Sequence, residues 1–295
     1  MSERFSTIEV DVRPAKRGDF EGKVVWITGG SKGIGKVLAK QFASLGAKLI
    51  LSARNLAELE QVKAELVGEH SSCAVEILPL DLSSGEVSLE EAVQRAESYF
   101  SAAGVDYMVH NAAYDPHPIS ALSITEECLL TTFKTNVIGT ITLTRLLAPS
   151  MLKRGRGHFI VMSSAAGKCP APGQAGYSAS KFALNGYFHT LRSELWQKGI
   201  KVTVVCPGPV DTLKDFEHDD SEKPVPVERC VQLIITAASH GLKEVWISKQ
   251  PVLLAMYLVQ YMPTVGYWIM DKVGVDRVQP SARNDKASTE KEKTP

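Results

Sequence analysis

Apolar runs with the length of β-strands alternate with helix-like segments along most of this chain. The strand-like runs cover residues 23–28, 47–53, 75–80, 105–110, 158–163, 201–206 and 244–248. Between them, apolar residues recur at helical spacing over residues 33–45, 56–67, 89–103, 126–153, 174–197 and 227–239. Most of the strand-like runs are continuously apolar, which is typical of parallel strands covered on both faces. The pattern predicts an α/β fold with a doubly wound parallel sheet of about seven strands and helices on both faces.

A glycine-rich turn lies between the first strand and the first helix, at Thr28-Gly29-Gly30-Ser31-Lys32-Gly33-Ile34-Gly35. Its glycines permit a tight turn and a close approach of backbone to a pyrophosphate, and the free N–H groups of the following helix favour an anion. The spacing is G-x-x-x-G-x-G, not the G-x-G-x-x-G of other dinucleotide folds. Its position predicts a Rossmann-type cofactor site. The predicted cofactor contacts in the turn are Gly29, Ser31, Lys32, Gly33, Ile34 and Gly35.

The end of the second strand indicates which dinucleotide binds. It reads Ser52-Ala53-Arg54, without the acidic residue that binds the ribose 2′-OH of NAD at this place. Arg54 can instead bind the 2′-phosphate of NADP, and Lys32 adds a second positive charge. The alternative interpretation is that Arg54 and Lys32 are solvated cations on the surface with no role in binding. Because the missing acid and the two added bases agree, we predict NADP(H).

Tyr177 and Lys181 open a later helix four residues apart and therefore share one face. A neighbouring ammonium stabilises a phenolate and lowers the pKa of a tyrosine from its ordinary value of about 10. The pair thus suits proton transfer to or from an alcohol oxygen. Ser164 ends the fifth strand, where ligands bind in open α/β sheets, and its hydroxyl can stabilise a reacting carbonyl oxygen. Taken singly, neither signal is specific: a Tyr and a Lys four residues apart are common on amphipathic helices, and serines are common where a strand turns into a loop.

Taken together, the motifs resemble the short-chain dehydrogenase/reductase family over about residues 22–250. The further segments that carry the resemblance are Asp81, His110-Asn111-Ala112-Ala113, Asn136 and Pro207-Gly208-Pro209-Val210-Asp211-Thr212. The resemblance implies that Tyr177 is the general acid/base and that Ser164 polarises the substrate. Lys181 would lower the tyrosine pKa and hold the nicotinamide ribose, and Asn136 would support a water in the proton relay. It also implies a homodimer.

The resemblance extends the predicted cofactor contacts beyond the glycine-rich turn and Arg54. They are Asp81 at the adenine, Asn111 along the groove, Tyr177 and Lys181 at the ribose, and Pro207, Gly208, Val210 and Thr212 over the nicotinamide. One departure stands out, because the family usually reads N-N-A-G where this chain has His110 to Ala113. We interpret His110 as a packed residue at a strand end, not as a catalyst.

The longest apolar stretch runs from Pro251 to Met270. About 20 residues suffice to span a membrane, but Gln260 lies in the middle, and Pro263 with Gly266 would break a straight helix. Three interpretations stay open: a transmembrane helix, a segment packed on the domain at the substrate pocket or a subunit contact, and a monotopic patch on a membrane. We predict that the stretch forms one wall of the substrate entrance and exposes apolar side chains near its tip.

Composition argues against a nucleic-acid-binding protein and against a metal site. Lys plus Arg and Asp plus Glu each number 33, so the net charge is zero and gives no support to a nucleic-acid partner. The five cysteines include no C-x-x-C pair, and no metal site is predicted.

The predicted organisation is an N-terminal extension (1–21), a dinucleotide-binding catalytic domain (22–250), an apolar C-terminal segment (251–278) and a polar tail (279–295).

A narrower resemblance concerns the C-terminal part. The segments 230–233, 242–248 and 250–263 are similar to the dehydrogenase/reductase family member 7 group and its plant relatives, which resemble the 11β-hydroxysteroid dehydrogenases. This implies a hydrophobic ketone or secondary alcohol, such as a steroid, retinoid or lipid, as substrate. A long-chain keto-lipid reductase and an NADP(H)-binding scaffold without turnover are the alternatives. The resemblance implies the endoplasmic reticulum membrane surface, whereas the polar residues 1–22, without an apolar anchor, favour the cytoplasm.

Overall fold

A parallel sheet forms the centre of the molecule in the computed structural model, which describes residues 13–69, 74–116, 118–212 and 224–278. The strands are β1 (Val24–Thr28), β2 (Lys48–Ser52), β3 (Val75–Ile77), β4 (Tyr107–His110), β5 (Gly157–Met162), β6 (Ile200–Pro207), β7 (Val210–Asp211), β8 (Val225–Pro226) and β9 (Glu244–Ile247). Seven of them are hydrogen-bonded in the order β3-β2-β1-β4-β5-β6-β9, all parallel, while β7 and β8 pair separately. The predicted seven-stranded parallel sheet is confirmed.

Helices cover both faces of this sheet. They are α1 (Arg17–Phe20), α2 (Gly33–Ser44), α3 (Leu56–Glu69), α4 (Glu86–Ala102), α5 (Glu126–Phe133), α6 (Thr140–Lys153), α7 (Ala175–Leu195), α8 (Val227–Ser239), α9 (Val252–Tyr261) and α10 (Pro263–Val278). One core packs α4, α6, α7 and α9 against side chains such as Trp26 and Phe159. The other packs α2, α3 and α8 against Ile27 and Leu51. Every residue of β1 and β5 is buried, which explains why these strands read as continuous apolar runs.

The helix predicted over residues 126–153 is divided in the structure. Residues Lys134–Gly139 form a π-helical turn between α5 and α6. Apolar periodicity does not reveal such a turn, because one extra residue per turn hardly changes the spacing of the buried side chains. Turns of this kind occur frequently at functional sites. This one carries Asn136.

Part of the predicted N-terminal extension belongs to the core. Phe20, at the end of α1, is fully buried. Its ring lies edge-to-face on that of Phe42, with centroids 5.1 Å apart. Burying a phenylalanine side chain contributes about 1.5–3 kcal/mol, so α1 is anchored to the core beneath α2.

The apolar C-terminal stretch folds into two helices that pack against each other. α9 ends at Tyr261 and α10 begins at Pro263, in agreement with the predicted break. A Cβ atom added at Gly266 would lie 2.5 Å from the backbone nitrogen of Val259, so only glycine permits this close approach of α10 to α9. Within the described residues no helix is long and apolar enough to cross a membrane.

One face of α9 is packed on the domain and the hairpin tip is exposed. Leu253, Met256 and Val259 are buried in the core beneath α9. We define the hairpin tip as residues 261–268. Its exposed large apolar side chains are Tyr261, Met262, Val265, Tyr267 and Trp268. The predicted exposure of apolar side chains near the tip is confirmed.

Candidate active site

The glycine-rich turn is shaped by close backbone approaches at its two ends. Gly29 has a φ of +67°, a conformation that favours glycine. A Cβ atom at Gly35 would lie 2.0 Å from the carbonyl oxygen of Gly29, so the first turn of α2 can pack here only without a side chain. Asn111, at the end of β4, donates its side-chain amide to the carbonyls of Thr28 and Gly29, each at 3.1 Å. The conformation of the turn is therefore fixed by the packing of α2 and by the Asn111 side chain.

A cavity of about 450 Å³ lies beyond the carboxyl ends of β1, β2 and β4. This is where the order of the strands reverses, and open α/β sheets bind ligands at such a point. The predicted cofactor residues that line the cavity are Gly29, Ser31, Lys32, Arg54, Asp81 and Asn111. Those that lie outside its lining are Gly33, Ile34, Gly35, Pro207, Gly208, Val210 and Thr212, together with Tyr177 and Lys181.

The walls of this cavity carry charges of both signs. Arg54 and Lys32 are exposed in the wall. Glu58, on the first turn of α3, also lines the cavity and accepts a hydrogen bond of 2.8 Å from the Ser31 hydroxyl. Sequence reasoning missed Glu58, although an acid four residues after Arg54 was visible. The Asp81 carboxylate accepts two bonds from Ser83, 2.9 Å from its amide and 2.8 Å from its hydroxyl, which fixes the carboxylate at the rim.

The segment after β6 reaches back to the glycine-rich turn. At Gly208 a Cβ atom would lie 2.1 Å from the hydroxyl oxygen of Ser248, so the chain leaves β6 pressed against the start of the C-terminal region. Thr212 lies beside the glycine-rich turn, with its Cβ 3.8 Å from the point where Gly33 would carry one. Residues 207–212 thus pass from the carboxyl end of β6 to the start of α2.

Ser164, Tyr177 and Lys181 are brought together at the carboxyl end of β5. The Ser164 hydroxyl lies beside the Tyr177 side chain, close enough to lower the pKa of the tyrosine. The Lys181 ammonium lies 5.3 Å from the centre of the Tyr177 ring and donates to the Met162 carbonyl at 2.8 Å. The predicted convergence of Ser164 on the shared face of Tyr177 and Lys181 is present in the structure.

The electrostatics of this cluster are dominated by burial. Burial raises the pKa of Tyr177 above its ordinary value, the negative charge of Asp115 raises it further, and the hydrogen bond with Ser164 opposes both. Burial likewise lowers the pKa of Lys181 to about 8, against the charges of Asp115 and Cys206. The net shift of Tyr177 is opposite to the lowering expected from Lys181 alone. Without a cofactor Tyr177 is therefore protonated at neutral pH, which is the form of a proton donor.

Asn136 connects the cluster to the loop after β4. Its side-chain oxygen accepts from the Tyr114 amide at 2.7 Å. Its amide nitrogen donates to the Tyr114 carbonyl at 2.9 Å and to the Ser180 hydroxyl at 3.2 Å. Tyr114 itself lines the cavity. In this structure Asn136 therefore ties the backbone of Tyr114, in the cavity lining, to Ser180 on α7, in addition to the role in a water relay that the resemblance implies.

His110 is packed in the core, as predicted. Its ring lies parallel to that of Phe159, and its Nε2 atom is 2.7 Å from the Thr144 hydroxyl. Burial lowers the pKa of His110 to about 3, so the ring is neutral at physiological pH. A neutral, enclosed imidazole is a packing residue, not an acid–base group.

Comparison with known proteins agrees with this geometry. A sequence model of the short chain dehydrogenase family matches residues 23–223. The chain is 36% identical over 271 residues to human dehydrogenase/reductase SDR family member 7, covering 87% of this chain and 79% of the human protein. The mouse protein of the same name is 38% identical over 275 residues, with the same coverage.

Solved structures share the fold. A metagenomic short-chain oxidoreductase in complex with NADP is 28% identical, with a TM-score of 0.65 over 78% of this chain and 97% of that one. Levodione reductase, at 21% identity, aligns with a TM-score of 0.72 over 79% of this chain and 99% of its own, and supports the fold alone. The chain therefore belongs to the short-chain dehydrogenase/reductase family and is an oxidoreductase of that family.

Proposed function

We propose that this oxidoreductase is an NADP(H)-dependent carbonyl reductase that acts on a hydrophobic ketone, and on the corresponding secondary alcohol in reverse. One observation carries the proposal: the Ser164 hydroxyl lies beside Tyr177 at the carboxyl end of β5, with the Lys181 ammonium 5.3 Å from the centre of the Tyr177 ring. This arrangement offers one acidic hydroxyl and one neutral donor to the same substrate oxygen.

Three residues of this chain would have separate roles in the reduction. Ser164 donates a hydrogen bond to the carbonyl oxygen, and Tyr177 transfers its proton to that oxygen as the alcohol forms. The buried ammonium of Lys181 stabilises the phenolate left behind, because a positive charge favours the ionised form of its neighbour. A bound nicotinamide supplies the hydride. The glycine-rich turn fits a pyrophosphate, since a Cβ atom at Gly35 would collide with the backbone.

The choice of NADP over NAD rests on the charges in the cavity wall. Arg54 and Lys32 both line the cavity at the end of β2, where a 2′-phosphate would lie. Two acids also line the cavity: the Glu58 carboxylate already accepts from Ser31, and the Asp81 carboxylate accepts from Ser83. The metagenomic relative of known structure was solved in complex with NADP, which supports the same choice.

A hydrophobic substrate is supported by the surroundings of Ser164. α9 contacts the short turn Ala165–Gly167 that follows Ser164. Within the next segment, the Cys169 sulfur lies 3.5 Å from that of Met270 on α10. The C-terminal hairpin would thus form one apolar wall of the substrate entrance. With its exposed tip, the hairpin also suits the surface of a membrane, and we propose the endoplasmic reticulum membrane on the resemblance described above.

A homodimer is the proposed assembly. Leu130 on α5, Ile138 in the π-helical turn and Phe182 on α7 are all exposed, and α7 contacts both other elements. Neighbouring apolar side chains on adjoining helices would be covered by the same face of a second copy.

The test is a substrate panel with purified protein. Steroid, retinoid and long-chain keto-lipid ketones are offered with NADPH, and the loss of NADPH absorbance is followed. Turnover that disappears in Tyr177→Phe supports the proposal, and the preferred ketone separates steroid or retinoid from keto-lipid reduction. Tight NADPH binding without turnover of any ketone in the panel would instead favour the scaffold alternative.

A further inference from the structure

An acidic side chain of α3 is bonded directly to the glycine-rich turn. The Ser31 hydroxyl donates a hydrogen bond of 2.8 Å to the Glu58 carboxylate, on the first turn of α3. Both residues line the cavity of about 450 Å³, together with Lys32 and Arg54. The wall that contains the two cations expected to bind a 2′-phosphate therefore also contains a carboxylate.

The packing of α3 holds Glu58 in this wall. Its backbone amide donates to the side-chain oxygen of Asn55 at 3.3 Å, at the start of the helix. The next residue, Leu59, is fully buried in the core. Because turning the helix would expose Leu59, the fold itself keeps Glu58 at the cavity, in addition to the bond with Ser31.

The charge of Glu58 is not cancelled by a direct ion pair. Among the residues that the structure describes, Arg54, Lys32 and Glu58 form no ion pair with one another or with any other residue. The two cations attract a phosphate in the cavity, whereas the carboxylate repels it. The affinity for a 2′-phosphate is therefore the difference between two opposing effects.

The hydrogen bond of Ser31 acts in the same direction as the charge of Glu58. A serine hydroxyl has one proton to donate, and Ser31 gives it to the carboxylate. The oxygens of a phosphate are acceptors, so neither the engaged hydroxyl nor the carboxylate offers them a proton. The 2′-hydroxyl of a ribose can donate, and NAD enzymes bind it through an acidic side chain. Glu58 thus favours a ribose hydroxyl over a phosphate.

We infer that Glu58 is a specificity residue that weakens the preference for NADP(H) and lets NAD(H) bind as a second cofactor. Arg54 and Lys32 set the direction of the preference, and Glu58 limits its size. This inference rests on the cofactor choice in the proposed function, because it requires the adenosine ribose to lie in this cavity.

Two cofactor fragments test the inference without a nicotinamide and without turnover. The Kd values of adenosine 2′,5′-bisphosphate and adenosine 5′-monophosphate are measured by calorimetry. The two compounds differ only in the 2′-phosphate, so the ratio of their Kd values measures the phosphate preference. The proteins are wild type, Glu58→Gln and the matched control Glu60→Gln, which alters an exposed acid on the same helix.

Glu58→Gln should raise the phosphate preference by about 3- to 10-fold, the range of one hydrogen bond of a partly exposed group. The gain should shrink at high salt, because dissolved ions screen the charge that was removed. Glu60→Gln should match the wild type. An unchanged or lower phosphate preference in Glu58→Gln, with an unchanged melting temperature, would overturn the inference.

The complete cofactors give a second measurement. In fluorescence titrations, Glu58→Gln should bind NADPH more tightly than the wild type does, without a matching gain for NADH. An equal gain for both cofactors would overturn the inference, because the carboxylate would then not distinguish a phosphate from a hydroxyl. Absence of ketone reduction in the wild type would count against the proposed reductase and would leave these binding ratios unaffected.

Discussion

Tyr177 is held in its protonated form by burial, and its reactivity depends on a small number of contacts. Ser164 lies beside it and lowers its pKa, the Lys181 ammonium lies over its ring, and Asp115 adds a negative charge nearby. These groups differ in how they act. Ser164 and Tyr177 would touch the substrate oxygen, whereas Lys181 would act through the tyrosine and the cofactor.

Replacement of Tyr177 by Phe removes only the hydroxyl. Turnover of the preferred ketone should fall by about 10² to 10⁴, as is typical when an acid–base group is lost. The NADPH dissociation constant, measured by fluorescence titration, should change little. Tyr99→Phe on α4 is the matched control and should retain normal kinetics. A near-normal kcat in Tyr177→Phe would show that another group transfers the proton.

The pH dependence of alcohol oxidation should move when Asp115 becomes Asn. Oxidation needs the phenolate of Tyr177, and the Asp115 charge raises the pKa of that group. Its removal lowers the pKa, so the rise of kcat/KM with pH should shift to lower pH. Lys181 and Ser164 remain unchanged in the variant. A profile that stays in place, or moves to higher pH, contradicts the electrostatic coupling.

Cofactor preference should depend on the end of β2. Ala53→Asp combined with Arg54→Leu removes the proposed phosphate contact and adds an acid for a ribose hydroxyl. The ratio of Kd for NADPH and NADH, from titration of each, should move towards NADH by about 10- to 100-fold, the range of a charge-assisted hydrogen bond. Arg95→Leu on α4 is a control for loss of an exposed arginine. Equal affinity of the wild type for both cofactors would refute the preference.

At the scale of elements, the strands and most helices could be predicted from the sequence. This is because the pattern of apolar residues shows which side chains are buried, and the pattern differs between strands and helices. The site residues at strand ends follow for the same reason. The π-helical turn at Asn136 could not be predicted, since the Asn136 side chain is held there by hydrogen bonds with Tyr114 in a distant loop. Asp115 and Glu58 were missed because nothing local shows that an exposed acid stands beside a catalytic pair or in a cavity.

α9 is part of the folded core, so its buried side chains should contribute to the stability of the whole protein. Met256 is fully buried under α9 together with Leu253. Met256→Ala should lower the free energy of unfolding by about 2–5 kcal/mol, measured by urea denaturation. Leu254→Ala, which alters an exposed side chain on the same helix, should cost far less. Similar losses in both variants would mean that α9 does not pack on the domain as described.

At the scale of the whole molecule, the hairpin of α9 and α10 packs on the domain through buried side chains and exposes an apolar tip. Mutations at the tip can therefore test membrane binding without disturbing the packing of the hairpin on the domain. Wild-type protein should co-sediment with phosphatidylcholine liposomes. Met262→Ser with Trp268→Ser should reduce that fraction severalfold, because both side chains are more than half exposed, at 53% and 62%. The melting temperature should stay close to that of the wild type. Val87→Ser, at an exposed apolar residue on α4, is the control. If the double variant sediments with liposomes as the wild type does, the tip is a protein contact and not a membrane contact. If the double variant also loses the dimer in gel filtration, that contact is with a second copy of the chain.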